Sequence, residues 1–192
     1  MDRMNLNNAI MTGSLRAISQ ASGKSLAESF LNCDAIVIID TSGSMGANDS
    51  RGGKSRYDVA QEELTQLQAT LPGKIALIVF SSDVQFCPSG IAPFLCGGTD
   101  MLKALNFVKV ADVDGMKFIL ISDGLPDSAN EVLAKAKTFK NKIFGIYVGP
   151  ENDIEGGRAF LEKLSKCTGG ESITADRAME LAGSIQTLLL KG

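Results

Sequence analysis

Four short runs of nearly unbroken Ile, Val, Leu and Phe, at residues 35–39, 75–80, 118–121 and 143–148, set the limits on how this chain folds. A strand wetted on one face alternates apolar with polar residues, so a run without alternation is a strand covered on both faces. Helical periodicity fills the gaps. Tyr57, Ala60, Leu64, Leu67 and Leu71 recur at three- and four-residue steps, behind the capping pattern Ser55-x-x-Asp58 and ahead of the stop Pro72-Gly73. Further helices are expected from about Thr99 (Met101, Leu102, Leu105, Val108) and from Pro126 with the box Ser128-x-x-Glu131 (Val132, Leu133, Ala136, Phe139). Two more follow, one around Phe160, Leu161 and Leu164 up to Gly169-Gly170, the other over 176–190. Strand and helix alternating at this spacing give right-handed crossovers and an α/β doubly wound sheet with helices on both faces. Residues 84–86 suit an antiparallel edge strand and 171–173 a short edge strand.

Leu6, Ile10, Leu15 and Ile18 sketch a helix that Gly13 and Ser22-Gly23 interrupt. Residues 1–33 therefore read as a helical N-terminal extension, ahead of the main domain at 34–192. A chain of 192 residues buries a core of ordinary size without disulfides.

Several function classes are excluded by composition. The net charge is −3 and no Lys/Arg cluster occurs, which argues against a nucleic-acid partner, and no basic amphipathic helix argues for a membrane one. Residues 1–30 lack the continuous apolar segment of a signal peptide, and no stretch approaches the roughly 20 apolar residues of a membrane span. The expectation is a cytoplasmic protein. Histidine is absent, which removes Ser-His-Asp and Cys-His nucleophiles, H-E-x-x-H metalloproteases and His-bearing zinc sites. Cys33, Cys87, Cys96 and Cys167 form no C-x-x-C pair, so reduced structural thiols are expected, with Cys87 and Cys96 the one pair near enough in sequence to leave open.

Ligands of open α/β sheets bind beyond the carboxyl ends of the strands, where the strand order reverses. Asp40-Thr41-Ser42-Gly43-Ser44 follows the first apolar run, Ser122-Asp123-Gly124 follows the third, and Gly97-Gly98-Thr99-Asp100 opens a helix. Such Ser, Thr, Gly and Asp clusters are also the composition of ordinary turns. Three at matching junctions point instead to a hard divalent cation, which takes oxygen ligands and keeps some waters. The hydroxyls of Ser42, Ser44 and Thr99 offer neutral ligands, and the carboxylates of Asp40 and Asp123 balance the charge, directly or through water. A cation held mainly by hydroxyls stays electrophilic and attracts one more anionic oxygen, such as a Glu or Asp carboxylate of another molecule.

On these residues the chain resembles a von Willebrand factor type A (vWA) domain, the integrin I-like fold, with a metal-ion-dependent adhesion site. That family's pattern is D-x-S-x-S, then a Thr, then an Asp in a later loop; Asp40, Ser42, Ser44, Thr99 and Asp123 fill it in order. The strand-helix alternation matches from about residue 34 to 190. The resemblance implies a mostly parallel six-stranded sheet of order 3-2-1-4-5-6 with its third strand antiparallel. It implies a Mg2+ site, with Mn2+ or Ca2+ as alternatives, and a protein partner that supplies a carboxylate. Intracellular vWA domains of bacteria and phages, some resembling adaptors for AAA+ ATPases, are nearer in kind than the disulfide-bonded extracellular members. On this reading the chain is an interaction module and not an enzyme.

Other readings compete. Two Gly-Lys-Ser triplets, at 23–25 and 53–55, lack the Gly that a P-loop needs five residues earlier; Ile18 and Asn48 stand there. A Mg2+-dependent phosphotransferase or phosphatase of haloacid dehalogenase type also has an Asp after its first strand, but its acid/base Asp two residues on is here Ser42. The third alternative is a structural subunit with an unused metal site. Glu62-Glu63 and Lys135, Lys137 and Lys140 read as solvated helix faces. Loops 45–54, 87–98, 125–127 and 149–157 should share the face of the site, and the apolar stretch 91–95 either selects a partner or packs under a helix.

Overall fold

The computed structural model describes residues 10–150 and 152–174; Leu6 and the helix expected over 176–190 lie outside them. The apolar runs become the strands β1 (Ala35–Asp40), β2 (Ile75–Phe80), β4 (Lys117–Ser122) and β5 (Ile143–Tyr147), buried along nearly their whole length. Short β3 (Val84–Phe86) pairs antiparallel with β2, and β6 (Ser172–Thr174) pairs parallel with β5. The sheet order is β3-β2-β1-β4-β5-β6.

Because side chains alternate across a strand, each run feeds two cores. Ile36, Ile38, Ile78, Phe80, Phe118 and Leu120 meet α4 (Met101–Val108), α5 (Ala129–Ala136) and α6 (Gly157–Cys167) on one side. On the other side Val37, Ile39, Leu77 and Val79 meet Val59, Ala60, Leu64 and Leu67 of α3 (Arg56–Thr70). Glu63 of α3 falls on that inward stripe and is 2% exposed, so it is not the solvated residue expected. Arg51 pairs with it at 3.0 Å, and burial, the larger influence, still raises its carboxyl above the usual range.

Helix starts follow local chemistry. Ser55 accepts the Asp58 amide at 3.0 Å at the head of α3, and Asp100 accepts the Lys103 amide at 2.9 Å at the head of α4. Ser128 makes no such bond, so the capping box expected for α5 is not formed. The N-terminal extension forms two helices, α1 (Leu15–Ser22) and α2 (Leu26–Leu31), with Gly23 left-handed between them and a complete capping box between Ser25 and Glu28. Leu15 is buried in the core, which docks α1 onto the domain. All four cysteines are free, Cys87 and Cys96 included. Among the described residues no helix is long and apolar enough to cross a membrane.

The topology positions the site. β1 lies between β2 and β4, with Ile39 level with Val79 and Ile121. The crossover after β1 runs through α3 on one face, whereas the one that leads into β4 runs through α4 on the other. The carboxyl ends of β1 and β4 thus border the crevice where strand order reverses.

Candidate functional site

Asp40 ends β1 with 0% exposure, and both of its carboxylate oxygens are engaged. The Ser42 amide donates to Oδ1 at 2.9 Å, and the Ser122 hydroxyl donates to Oδ2 at 2.7 Å. Ser122 Oγ in turn accepts the Gly124 amide at 2.9 Å, so the ends of β1 and β4 are sewn together through one hydroxyl. After Asp40 the chain is anchored by Thr41, which donates its amide and its hydroxyl to Phe80 O, and then turns into a 3-10 segment, Gly43–Gly46. This turn brings the Ser42 and Ser44 hydroxyl oxygens to 3.1 Å.

The third piece reaches the same edge through backbone bonds. The Gly43 amide donates to Gly97 O at 3.0 Å, and the Cys96 amide to Thr41 O at 2.9 Å. This tight join puts Cys96 and Gly97 at φ of 61° and 102°, values that cost a side chain strain and suit glycine. Thr99 then exchanges bonds with the loop after β4. Its amide donates to both Asp127 carboxylate oxygens, at 3.2 and 3.1 Å, and its carbonyl accepts the Asp127 amide at 3.1 Å. The Thr99 hydroxyl makes no hydrogen bond to a described residue. Asp40, Ser42 and Ser44 are therefore directly connected, while Thr99 joins them through the backbone.

Asp123 lies one residue past β4 and is 3% exposed. Its loop is locked by the close approach of Gly124 to Gly157 at the start of α6: a Cβ on Gly157 would stand 2.0 Å from Asp123 O. Arg56 Nη1 donates to Asp123 Oδ2 at 2.7 Å, and the rest of the guanidinium forks onto Asp49 at 2.8 and 2.7 Å. Asp123 Oδ1 is buried with no hydrogen-bond partner among the described residues. Burial raises the Asp40 pKa to about 6, with the neighbouring Asp123 charge adding to the rise and the Ser42 and Ser122 hydrogen bonds opposing it. A cleft of about 270 Å³ opens beside Arg56 and Asp123, walled by Asp49, Tyr147 and Asp153.

The donor set suits a hard cation. Two buried carboxylates share one site, one of their oxygens is orphaned, and hydroxyls stand on the same edge; an oxygen-coordinated divalent ion relieves such a set. Among the described residues no group of three or more His, Cys, Asp and Glu converges, so any ion here would have to take its remaining ligands from hydroxyls or water.

The sequence reading missed Arg56, Ser122, Asp49 and Asp127, which hold the named residues in place. Ser122 carried a signal as the polar end of a buried strand, and Asp49 and Asp127 lie in loops 45–54 and 125–127, expected on the face of the site; Arg56 carried none. The stretch 91–95 divides between its two readings: Ala92 is fully buried, whereas Phe94 is 43% exposed, packs at a tilt against Tyr57 with ring centroids 5.1 Å apart and lies beside Gly46.

No protein-family model matches the chain, and no curated protein does. Solved structures do share its fold. An aerotolerance-related membrane protein from Bacteroides fragilis superposes with a TM-score of 0.67 at 18% identity, over 83% of this chain and 100% of that one. The manganese-loaded TRAP protein of Plasmodium vivax gives 0.52 at 18% identity, over 78% of this chain and 71% of that one. A von Willebrand factor type A protein from Catenulispora acidiphila gives 0.53 at 16% identity, over 79% of this chain and 41% of that one. With the strand order, these likenesses establish a vWA-like fold.

Proposed function

We propose that this domain binds a divalent cation, Mg2+ in the cell, and uses it to hold an acidic side chain of a protein partner. The observation that carries the reading is the orphaned, buried Oδ1 of Asp123 beside a second buried carboxylate, at an edge lined with hydroxyls. Ser42, Ser44 and Thr99 would hold the ion through their hydroxyls, with Asp40 and Asp123 balancing its charge. The bound ion supplies an electrophilic position for one more anionic oxygen. Phe94, exposed on the rim, offers an apolar contact to the chain that carries it. The manganese in the TRAP structure supports divalent-metal use by this fold.

On this reading the domain binds without catalysing. A carboxylate nucleophile must reach its substrate, but Asp40 has 0% exposure and both oxygens committed. An adaptor role for an AAA+ ATPase or a multiprotein assembly follows the same logic, and four free thiols suit the reducing cytoplasm.

Mn2+ titration by calorimetry, run alongside partner capture from native lysate in Mg2+ and in EDTA, tests the proposal. Wild type should bind one ion and retain a partner in Mg2+ alone, while Ser42→Ala should lose both with an unchanged circular dichroism spectrum. A wild-type domain that takes up no Mn2+ would leave it a structural subunit.

A further inference from the structure

The described structure contains a cation where the site needs charge balance. Arg56 is the first residue of α3, its side chain is 11% exposed, and it reaches across to Asp123, whose side chain is 2% exposed. The guanidinium gives one nitrogen to Asp123 Oδ2 at 2.7 Å and two to Asp49, whose side chain is 42% exposed. A buried carboxylate with no counter-charge is costly, and Arg is the side chain that stays charged in such a place. We propose that Arg56 is a resident counter-ion of this site: it neutralises Asp123 in the metal-free domain and thereby sets a lowered affinity for the divalent ion.

Arg56 and the divalent ion compete for a single carboxylate. With Oδ2 given to Arg56, only Oδ1 of Asp123 is left, and any ion drawn to it stands near a fixed positive charge. That repulsion acts in a poorly solvated setting, where charges a few ångströms apart interact far more strongly than in water. Asp49 moderates it, since its carboxylate answers the same guanidinium from the solvent side. The two members of this ion pair should therefore act on metal affinity in opposite directions. A purely structural clamp would not do this, because losing either end would loosen the site in the same way.

This inference rests on the metal-binding reading above, and the experiment separates the two. Mn2+ is titrated calorimetrically into wild type, Arg56→Gln, Arg56→Lys and Asp49→Asn, each checked for folding by circular dichroism. Removing the charge in Arg56→Gln should tighten Mn2+ binding by about tenfold, and Asp49→Asn should weaken it by about threefold, because the guanidinium then faces the site unbalanced. Arg56→Lys keeps the charge and should stay close to wild type. If Arg56→Gln does not fold in EDTA, the weaker binding by Asp49→Asn and the unchanged binding by Arg56→Lys carry the test. Arg56→Gln binding no tighter than wild type, Arg56→Lys tightening as Gln does, or Asp49→Asn binding tighter would each overturn the role of Arg56 while leaving the metal site standing. Absence of Mn2+ binding in every protein would refute the site itself, and the counter-ion with it.

Discussion

Asp40→Asn should make the metal-free domain more stable at neutral pH, although it removes a residue of the site. Asp40 is fully buried, and its pKa stands at about 6 against an ordinary value of 3.8. Between those two values the folded state holds a proton that the unfolded chain has released, so stability falls as pH rises through the window. At about 1.4 kcal/mol per pH unit, the full gap amounts to about 3 kcal/mol, all of it felt above pH 6. Asparagine carries no charge and can still accept the Ser42 amide, so its curve lacks this fall. The assay is urea unfolding in EDTA at pH 4, 5, 6 and 7.5. The two proteins should agree near pH 4 and separate steadily, with the variant ahead by 2 to 3 kcal/mol at pH 7.5, on the order set by the linkage relation. Taking the difference at each pH cancels the titrating groups remote from Asp40, which both proteins share. Adding Mg2+ at pH 7.5 should then raise wild type alone, because only a ligand that binds the folded state stabilises it. Parallel curves across this range, or a variant that is weaker at pH 7.5, would refute the electrostatic account of the site.

Other substitutions test the scaffold around it. Ser122→Ala removes the donor to Asp40 Oδ2 and the acceptor of the Gly124 amide, and should cost about 3 kcal/mol at pH 7.5 by urea unfolding. A loss under about 1 kcal/mol would mean that water replaces the hydroxyl. Gly157→Ala drives a Cβ to 2.0 Å from Asp123 O, so it should destabilise the fold by 2 kcal/mol or more, on the order of an overpacked core, and weaken Mn2+ binding through the displaced Asp123 loop. Burial alone would raise the Asp112 carboxyl, but hydrogen bonds from Lys109 and from the Lys140 and Asn141 amides hold its pKa at about 2. Because that lies below the unfolded value, Asp112→Asn should lose about 2 kcal/mol at pH 7, and the difference should vanish as pH falls from 4 towards 2.

The buried strands were legible because burial on both faces leaves a long apolar run, and the helices because their apolar residues recur every three or four positions; the order of the strands followed only from the family resemblance. The candidate site residues stood out for a related reason: Asp40, Ser42, Ser44, Thr99 and Asp123 sit at junctions where an apolar run or a helix start meets oxygen-bearing side chains. What holds them was not legible. The bond from Arg56 to Asp123 spans 67 residues, and the one from Ser122 to Asp40 spans 82. Arg56 in sequence is an ordinary first residue after a helix cap, and nothing local tells it to face inward. Glu63 failed for a different reason. It lies on the apolar stripe of α3, and its charge was read as solvent-facing because its partner Arg51 sits in a loop that no periodicity describes. Ser128 had the capping pattern but not the bond, since sequence spacing does not set backbone angles.

These misses share a cause that bears on how the site works. On the proposed reading, a fold that presents a cation site before any cation arrives has to hold Asp40 and Asp123 close together and dry. Their repulsion is part of what raises the Asp40 pKa. Residues that make this arrangement tolerable are recruited from wherever the fold brings them: a hydroxyl at the end of β4, a guanidinium at the head of α3. Such partners are chosen by three-dimensional proximity alone. The stability given up at Asp40 and the charge placed at Arg56 are then coupled quantities. A domain relieved of Arg56 should need its ion more, so Arg56→Gln should melt lower than wild type in EDTA and gain more in melting temperature from saturating Mn2+. An equal gain in both proteins would separate the two residues and leave Arg56 as a clamp between loops.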